Sequence, residues 1–510
     1  MSGGNASAPF CRTVADEAGT RRLADDLAAI VRPGDVVALY GDLGMGKSAF
    51  ARAVVRRLAG DPDLEVPSPT FTLVQSYETA RFPVHHFDLY RLADPDELVE
   101  IGFADALGEG LALIEWPERA GGELPADRLD AIISDGDGPD GRRFALVPHG
   151  GGWAERLDET FAIRDLLDRS GFGEASRAHL QGDASTRRFE RVTGATGGAT
   201  GSAVLMHWPP FGALPIHADG LPYEALVHVT DRLDAFVAIG DTLRRHGFRA
   251  PRLIAEDAPR RILLLEDLGG DGIAPDGVAN PQRYLAAARR LADMAAVAWP
   301  ATATGDDGRA FPLPVYNRRA LLAEVELFAS WYAPDALHRP LAAAEATDWR
   351  ALWDGLFARF DDDRAAWVLR DYHSPNILWQ ADGDPIGLID YQDALIGPAA
   401  YDLASLTTDA RVDVADDLQT ALVDAYCQRR RAIAGPFDEA GFRDAVLLLG
   451  AQRNAKILGR FVRYAKLTGR THHLRFVPRV RRNLEKALAA KVLAGVKLWY
   501  ERLGLADIRP

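Results

Sequence analysis

The sequence predicts two globular parts in series, an α/β nucleotide-binding domain and then a larger, two-lobed α+β domain, and three observations carry that expectation. Val36-Val37-Ala38-Leu39-Tyr40 reads as a buried strand, residues 41–48 are rich in glycine, and Lys47 to Ala59 has amphipathic helical spacing. A proline and three glycines in Val147-Pro148-His149-Gly150-Gly151-Gly152 then interrupt every periodicity. Far downstream, Trp367 to Leu378 reads as strand, Asp-x-x-x-x-Asn, strand, and a second apolar run ends in Asp390.

At 510 residues the chain exceeds one ordinary domain, and a prior of about 150 residues each favours two to four, here two unequal parts. With 47% hydrophobic and 26% charged residues it has the composition of a soluble globular protein. Basic residues number 59 against 73 acidic ones, and the resulting net charge of −14 speaks against direct nucleic-acid binding by charge. Cys11 and Cys427 are the only cysteines, which excludes a disulfide framework and a thiolate zinc site and fits a reducing compartment. The first 20 residues lack the basic start and apolar run of a secretory signal, and no apolar run of about 18 residues occurs, so a cytoplasmic protein without membrane contact is expected.

The first element in detail is Gly41-Asp42-Leu43-Gly44-Met45-Gly46-Lys47-Ser48, which fits G-x-x-x-x-G-K-[ST] at every fixed position. Gly41, Gly44 and Gly46 let backbone N–H groups curl around phosphates, Lys47 reaches the outer phosphates, and Ser48 offers its hydroxyl to Mg2+. Lys47 is the only lysine before Lys456 in a chain that writes its positive charge as arginine. ATP and Mg2+ are the expected cofactors. Pro67 and Pro69 then forbid a helix, and the run to Val74 turns strand-like. If Val84 to Tyr90 is extended, His86, Asp88 and Tyr90 share one face, although Asp88 by residue type also suits a cap or turn. Glu115 ends the apolar run Leu111 to Ile114, where ATPases of this kind place the carboxylate that organises magnesium and water.

Together GDLGMGKS, SPTFTLV, HHFDLYRL and LIEWPE, in this order from about Arg12 to Val147, resemble the TsaE family of bacterial tRNA threonylcarbamoyladenosine synthesis. The resemblance implies an α/β P-loop NTPase domain with Lys47 and Ser48 at phosphates and metal, Thr70 in a switch-like segment, Asp88 in the HFDLYR motif, and Glu115 as the metal-organising acid. It also implies TsaB and TsaD as partners. Serine follows Lys47 where the family usually has threonine, and the hydroxyl is kept.

The break near residue 150 sets the expected boundaries: 1–150 for the ATPase and 153–510 for the second domain, with an N-lobe to about 265 and a C-lobe from about 270. Ala154 to Arg169 has helical spacing, and Thr193 to Ser202 reads as a hairpin tip. In the second domain Asp371 is placed to take a proton from an acceptor hydroxyl, while Asn376 and Asp390 supply oxygen ligands for magnesium. Leu263 to Glu266 leads into the inter-lobe hinge, which puts Glu266 at the nucleotide.

From about Glu155 onward the chain resembles the aminoglycoside phosphotransferase superfamily, a two-lobed α+β protein-kinase-like fold. Within it, GDASTRRF at 182–189, YNRR at 316–319 and IDYQDAL are similar to the anomeric kinases of N-acetylmuramate and N-acetylglucosamine in cell-wall recycling. One departure stands out: the third strand reads Val204-Leu205-Met206-His207-Trp208, without the lysine that clamps nucleotide phosphates in such kinases. The Gly182–Thr186 loop, with Gly182 and Ser185, and Arg187 or Arg188 are the expected replacement. The helical spacing of Glu324, Leu327, Phe328 and Trp331 predicts core, with an aromatic stacked on a pyranose ring as the alternative; the basic stretch Arg453 to Arg482 predicts a solvated face, with one arginine on an acidic substrate group such as a muramate lactyl carboxylate as the alternative; and His472-His473 predicts surface.

The expected function is therefore twofold, an ATPase that supports tRNA modification and a kinase for an amino-sugar substrate. Another hydroxyl acceptor such as an aminoglycoside or choline, or a silent scaffold joined to an ATP-gated binding module, is the competing reading.

Overall fold

The structure is a computed structural model that describes residues 9–180, 187–196, 199–212, 220–364, 366–380 and 383–507. The chain forms two compact units. One comprises Met1–His207 with Ile254–Leu264, the other Trp208–Leu253 with Leu265–Pro510.

The first unit opens with β1 (Phe10–Val14), α1 (Glu17–Ile30), β2 (Val36–Tyr40) and α2 (Lys47–Ala59). Asp16 caps α1, its carboxylate accepting from the Gly19 N–H at 2.8 Å. There follow β3 (Val74–Tyr77), β4 (Val84–Asp88), α3 (Glu97–Glu100), α4 (Phe103–Glu109), β5 (Leu111–Glu115), β6 (Arg128–Asp135) and β7 (Arg142–His149). These strands make one seven-stranded sheet in the order β1-β7-β6-β2-β5-β4-β3. Its centre is parallel, β6, β2, β5 and β4 running together, while β1, β7 and β3 add antiparallel edges. The continuous apolar runs of β2 and β5 are explained by burial on both faces, since every residue of β5 is buried. This order brings the C-terminal ends of β2, β4 and β5 side by side, with Asp88 paired to Glu115 in register and the glycine loop following Tyr40.

The sheet ends at His149, and α5 (Trp153–Arg169) begins after the glycine break. Its first half places Trp153, Leu157 and Phe161 in the core of the seven-stranded sheet, and its second half places Ala162, Ile163, Leu166 and Leu167 in the next core. That next core lies under a five-stranded sheet of β8 (Ser176–Leu180), β9 (Arg188–Thr196), β10 (Ala199–His207), β11 (Leu253–Asp257) and β12 (Ile262–Glu266), ordered β11-β12-β10-β9-β8. β9 and β10 pair as the hairpin expected around residues 193–202. A buried ionic cluster seals α5 to both sides: Asp26 of α1 accepts from Arg164 at 2.8 Å and from Arg177 at 3.0 Å, and Arg177 also holds Glu190 at 2.6 Å.

The second unit is mainly helical, with three two-stranded sheets, of which Ala366–Val368 with Leu395–Gly397 and Ile377–Trp379 with Ile386–Leu388 frame the site. Its longest helix, Glu439–Thr468, has 30 residues, which at 1.5 Å per residue is about 45 Å. Gly459 lets this helix lie directly on the end of helix Arg318–Leu327, because a Cβ there would meet the Leu327 carbonyl at 2.2 Å. The basic stretch departs from the expected solvated face: Gln452, Arg453, Asn454, Lys456, His473 and Arg481 are all buried. On the long helix, apolar residues on the same turns carry Gln452, Arg453, Asn454 and Lys456 into the interior, where Gln452 and Lys456 both reach Glu324.

Candidate functional site

Two separate constellations gather the expected residues, one in each unit. In the first, Gly41, Gly44 and Gly46 all have positive φ, and a Cβ on Gly41 would meet the Ile133 carbonyl oxygen at 2.5 Å. The loop therefore bends as glycine alone permits and leads straight into the N-terminus of α2. Lys47, 5% exposed, folds back onto the carbonyls of Gly41 and Asp42 and lies 3.6 Å from the Trp116 ring centroid. Burial lowers its pKa, against the pull of Glu115, Glu118, Asp88 and Asp42.

Ser48 Oγ donates to Glu115 Oε2 at 2.8 Å, and Glu115 Oε1 meets His86 Nε2, also at 2.8 Å. Asp88 lies on the neighbouring strand and accepts from Ser68 at 2.5 Å and Thr70 at 2.8 Å, while its other oxygen takes the Tyr90 N–H. The SPTF segment is thus tied to the sheet through one carboxylate. Ser48 and Glu115 are hard oxygen donors beside the phosphate loop, a donor set that fits Mg2+. Ser68 was not singled out in the sequence, whereas the alternation of β4 puts His86 and Asp88 on one side, and His86 reaches Glu115.

In the second unit, Arg370 and Asp390 both have positive φ, unusual for side chains of this size, and each flanks a turn that carries a predicted site residue. Asn376 Nδ2 donates to the Asp371 carbonyl at 3.0 Å and reaches Asp390 Oδ2 at 3.4 Å, and the Ile389 N–H donates to the Asn376 carbonyl at 3.1 Å. Asp390 Oδ1 also accepts from Gln392. Asp371, Asn376 and Asp390 are therefore one hydrogen-bonded group on adjoining turns, and the side-chain oxygens of Asn376 and Asp390 are again a hard donor set.

Behind them two buried carboxylates brace the loop. Asp402 accepts the N–H groups of Leu369 at 2.7 Å and Arg370 at 2.9 Å, and Asp409 accepts from Ser374 N at 2.8 Å and from the Tyr284 hydroxyl. The Asp371 side chain is 39% exposed, with His373 Nε2 at 4.0 Å. Burial pushes its pKa up, but His373, Lys456, Arg453 and Arg460 outweigh burial and hold it well below the usual carboxylate range. The Asp371 carboxylate is thus held in its charged form near neutral pH.

Deeper still is a cluster that local spacing did not reveal. Glu324, 0% exposed, gives Oε1 to Arg370 at 2.6 Å and to Lys456 at 3.2 Å, and Oε2 to Gln452 at 2.7 Å and to the Tyr316 hydroxyl. The presence of tyrosine and lysine at 316 and 456 was visible, but their convergence was not.

The remaining predicted residues are placed as follows. Glu266 ends β12 and accepts from the Arg252 backbone at 3.2 Å and side chain at 3.1 Å. Arg188 pairs with Glu159 of α5 at 2.6 Å and with His207, and Arg187 lies 5.9 Å from the Phe189 ring centroid. Gly182 and Ser185 lie outside the described residues.

A glycine loop at the head of α2 beside the Ser48–Glu115 pair, and the hydrogen-bonded Asp371–Asn376–Asp390 group, are the arrangement of a protein with a P-loop part and a phosphotransferase part. The chain belongs to the phosphotransferase enzyme family, whose model matches residues 176–437, and in its N-terminal part to the family described as threonylcarbamoyl adenosine biosynthesis protein TsaE, matched over residues 14–144. It is 32% identical over 352 residues to an N-acetylmuramate/N-acetylglucosamine kinase of Caulobacter vibrioides, a match covering 66% of this chain and 94% of that protein. A TsaE protein of Rickettsia bellii is 40% identical over 117 residues, covering 23% of this chain and 81% of the relative. A TsaE protein of Rickettsia felis is 46% identical over 103 residues; that match takes in 20% of this chain and spans 60% of the relative's length. The chain is thus a fusion of a TsaE-type ATPase and a kinase. No helix among the described residues is long and apolar enough to cross a membrane.

Proposed function

We propose that the kinase transfers the γ-phosphoryl group of ATP to the anomeric hydroxyl of N-acetylmuramate and N-acetylglucosamine. The carrying observation is the Asp371–Asn376–Asp390 group, in which an exposed, ionised carboxylate stands beside two oxygen ligands. Asp371 takes the proton of the hydroxyl as its oxygen attacks γ-phosphorus; the O–P bond to the sugar forms, the bond to the β-phosphate bridging oxygen breaks, and ADP leaves. Mg2+ held by Asn376 and Asp390 would neutralise charge on the phosphate oxygens. Asp402 and Asp409 keep the base in place by fixing the backbone on either side of it. The kinase relatives support the choice of acceptor.

The N-terminal part, on the same reading, hydrolyses ATP in support of tRNA threonylcarbamoyladenosine formation, with TsaB and TsaD as partners, in the cytoplasm. Lys47 and the loop N–H groups bind the phosphates, Ser48 and Glu115 would hold Mg2+, and Glu115 with His86 positions the attacking water. Leu43 and Phe71, 77% and 82% exposed beside this site, are apolar surface available to a partner.

The test is transfer of phosphate from ATP to each sugar by the wild type, Lys47→Ala and Asp371→Ala. A sugar 1-phosphate that is lost only with Asp371→Ala supports the reading. Asp371-dependent ATP consumption with another hydroxyl compound alone would replace the acceptor.

A further inference from the structure

The long helix presents Arg453, Lys456 and Arg460 on one face, at positions i, i+3 and i+7, and that face reaches the site through Lys456, whose partner Glu324 also holds Arg370, the neighbour of Asp371. Among the described residues only the middle cation has a carboxylate within hydrogen-bond reach. Lys456 donates to Glu324 at 3.2 Å and to the Tyr401 hydroxyl at 2.7 Å. Both oxygens of Glu324 are occupied, one by Arg370 and Lys456, the other by Tyr316 and Gln452, so Glu324 has no lone pair to turn toward Arg453. Asp402 and Asp409 are committed to the backbone on either side of Asp371.

Arg453 is 3% exposed, and among the described residues its Nη1 has no hydrogen-bond partner. A buried guanidinium nitrogen without an acceptor is costly, and such a group is retained where a ligand supplies the anion. Arg411 stands near the same cations: burial, then Arg453 and Arg460, lower its pKa to about 10.

We propose that Arg453, assisted by the exposed Arg460 two turns along the same helix face, binds a carboxylate on the acceptor and so selects acidic over neutral amino sugars. Of the two acceptors considered above, N-acetylmuramate carries such a group, on its lactyl ether, and N-acetylglucosamine does not; the inference rests on the sugar-kinase reading. A guanidinium grips a carboxylate through paired N–H donors, which lysine cannot reproduce.

The experiment is steady-state kinetics of the full chain with both sugars, for the wild type, Arg453→Met, Arg453→Lys and Arg460→Met. The expected result is a rise of at least about ten-fold in the ratio of KM for N-acetylmuramate to KM for N-acetylglucosamine in Arg453→Met, the loss fitting one charge-assisted hydrogen bond. Partial recovery in Arg453→Lys and a smaller rise in Arg460→Met are expected with it. Should Arg453→Met fail to fold, the exposed Arg460→Met decides by the same ratio. An unchanged ratio, or a KM for ATP that rises alike with both sugars, overturns the assignment, the second result handing these cations to the nucleotide. A wild type that phosphorylates neither sugar overturns the sugar reading itself, an outcome told apart because no variant is needed to see it.

Discussion

Glu324 and Arg370 meet at 2.6 Å with side chains 0% and 7% exposed, which makes the residue just before Asp371 one arm of a buried ion cluster. Breaking such a pair on one side leaves charges without compensation. Glu324→Gln is therefore expected to cost roughly 3–5 kcal/mol, read as a lower urea midpoint.

The same residue predicts a pH dependence. Burial alone would raise the Glu324 pKa, but Lys456, Arg370, Tyr316 and Gln452 bring it down to about 2 from the ordinary 4.5. A depressed carboxylate contributes stability that is fully present above 4.5 and is lost as pH falls toward 2. Unfolding midpoints of the wild type should fall through that window, and Glu324→Gln should flatten the slope there. An equally steep slope in the variant would remove Glu324 as its cause.

Asp371→Asn should lower kcat of the kinase by roughly 10²–10⁴, the range for a lost general base, with little change in KM for ATP. Isothermal titration with ATP separates this from misfolding.

At the phosphate loop, Gly41→Ala drives a Cβ against the Ile133 carbonyl at a φ of 141°, and ATP binding by the N-terminal site should be abolished. Glu115→Gln, by contrast, should keep nucleotide affinity within about three-fold at fixed Mg2+ and lose hydrolysis, since the amide accepts from Ser48 but carries no charge for metal or water. Filter binding and phosphate release distinguish the two outcomes.

Gly459→Ala should destabilise the second unit by about 1–3 kcal/mol, because the added methyl meets Leu327 backbone rather than a movable side chain. Thermal melting measures it, and a Tm equal to wild type would mean that the helices separate at no cost.

Much of this was legible in the residues. The phosphate loop bends at its glycines, the alternation of β4 turns His86 and Asp88 one way, and the Asp-x-x-x-x-Asn spacing sets Asn376 against the Asp371 carbonyl. Each of these is a local pattern, fixed by backbone geometry over a few residues. The cluster around Glu324 was not legible, for its partners Arg370 and Lys456 lie 46 and 132 positions away. Nor was the burial of Arg453, Lys456 and His473: charge composition marks a face as polar, and only tertiary packing decides whether that face looks outward.

Trp153, Leu157 and Phe161 fill one core while Ile163, Leu166 and Leu167 of the same helix fill the next. A stop placed at the glycine break would leave the seven-stranded sheet with a hole the size of three large side chains, and a start placed beyond Arg169 would strip the second core of its lid. Either cut would therefore take large buried side chains away from one core or the other.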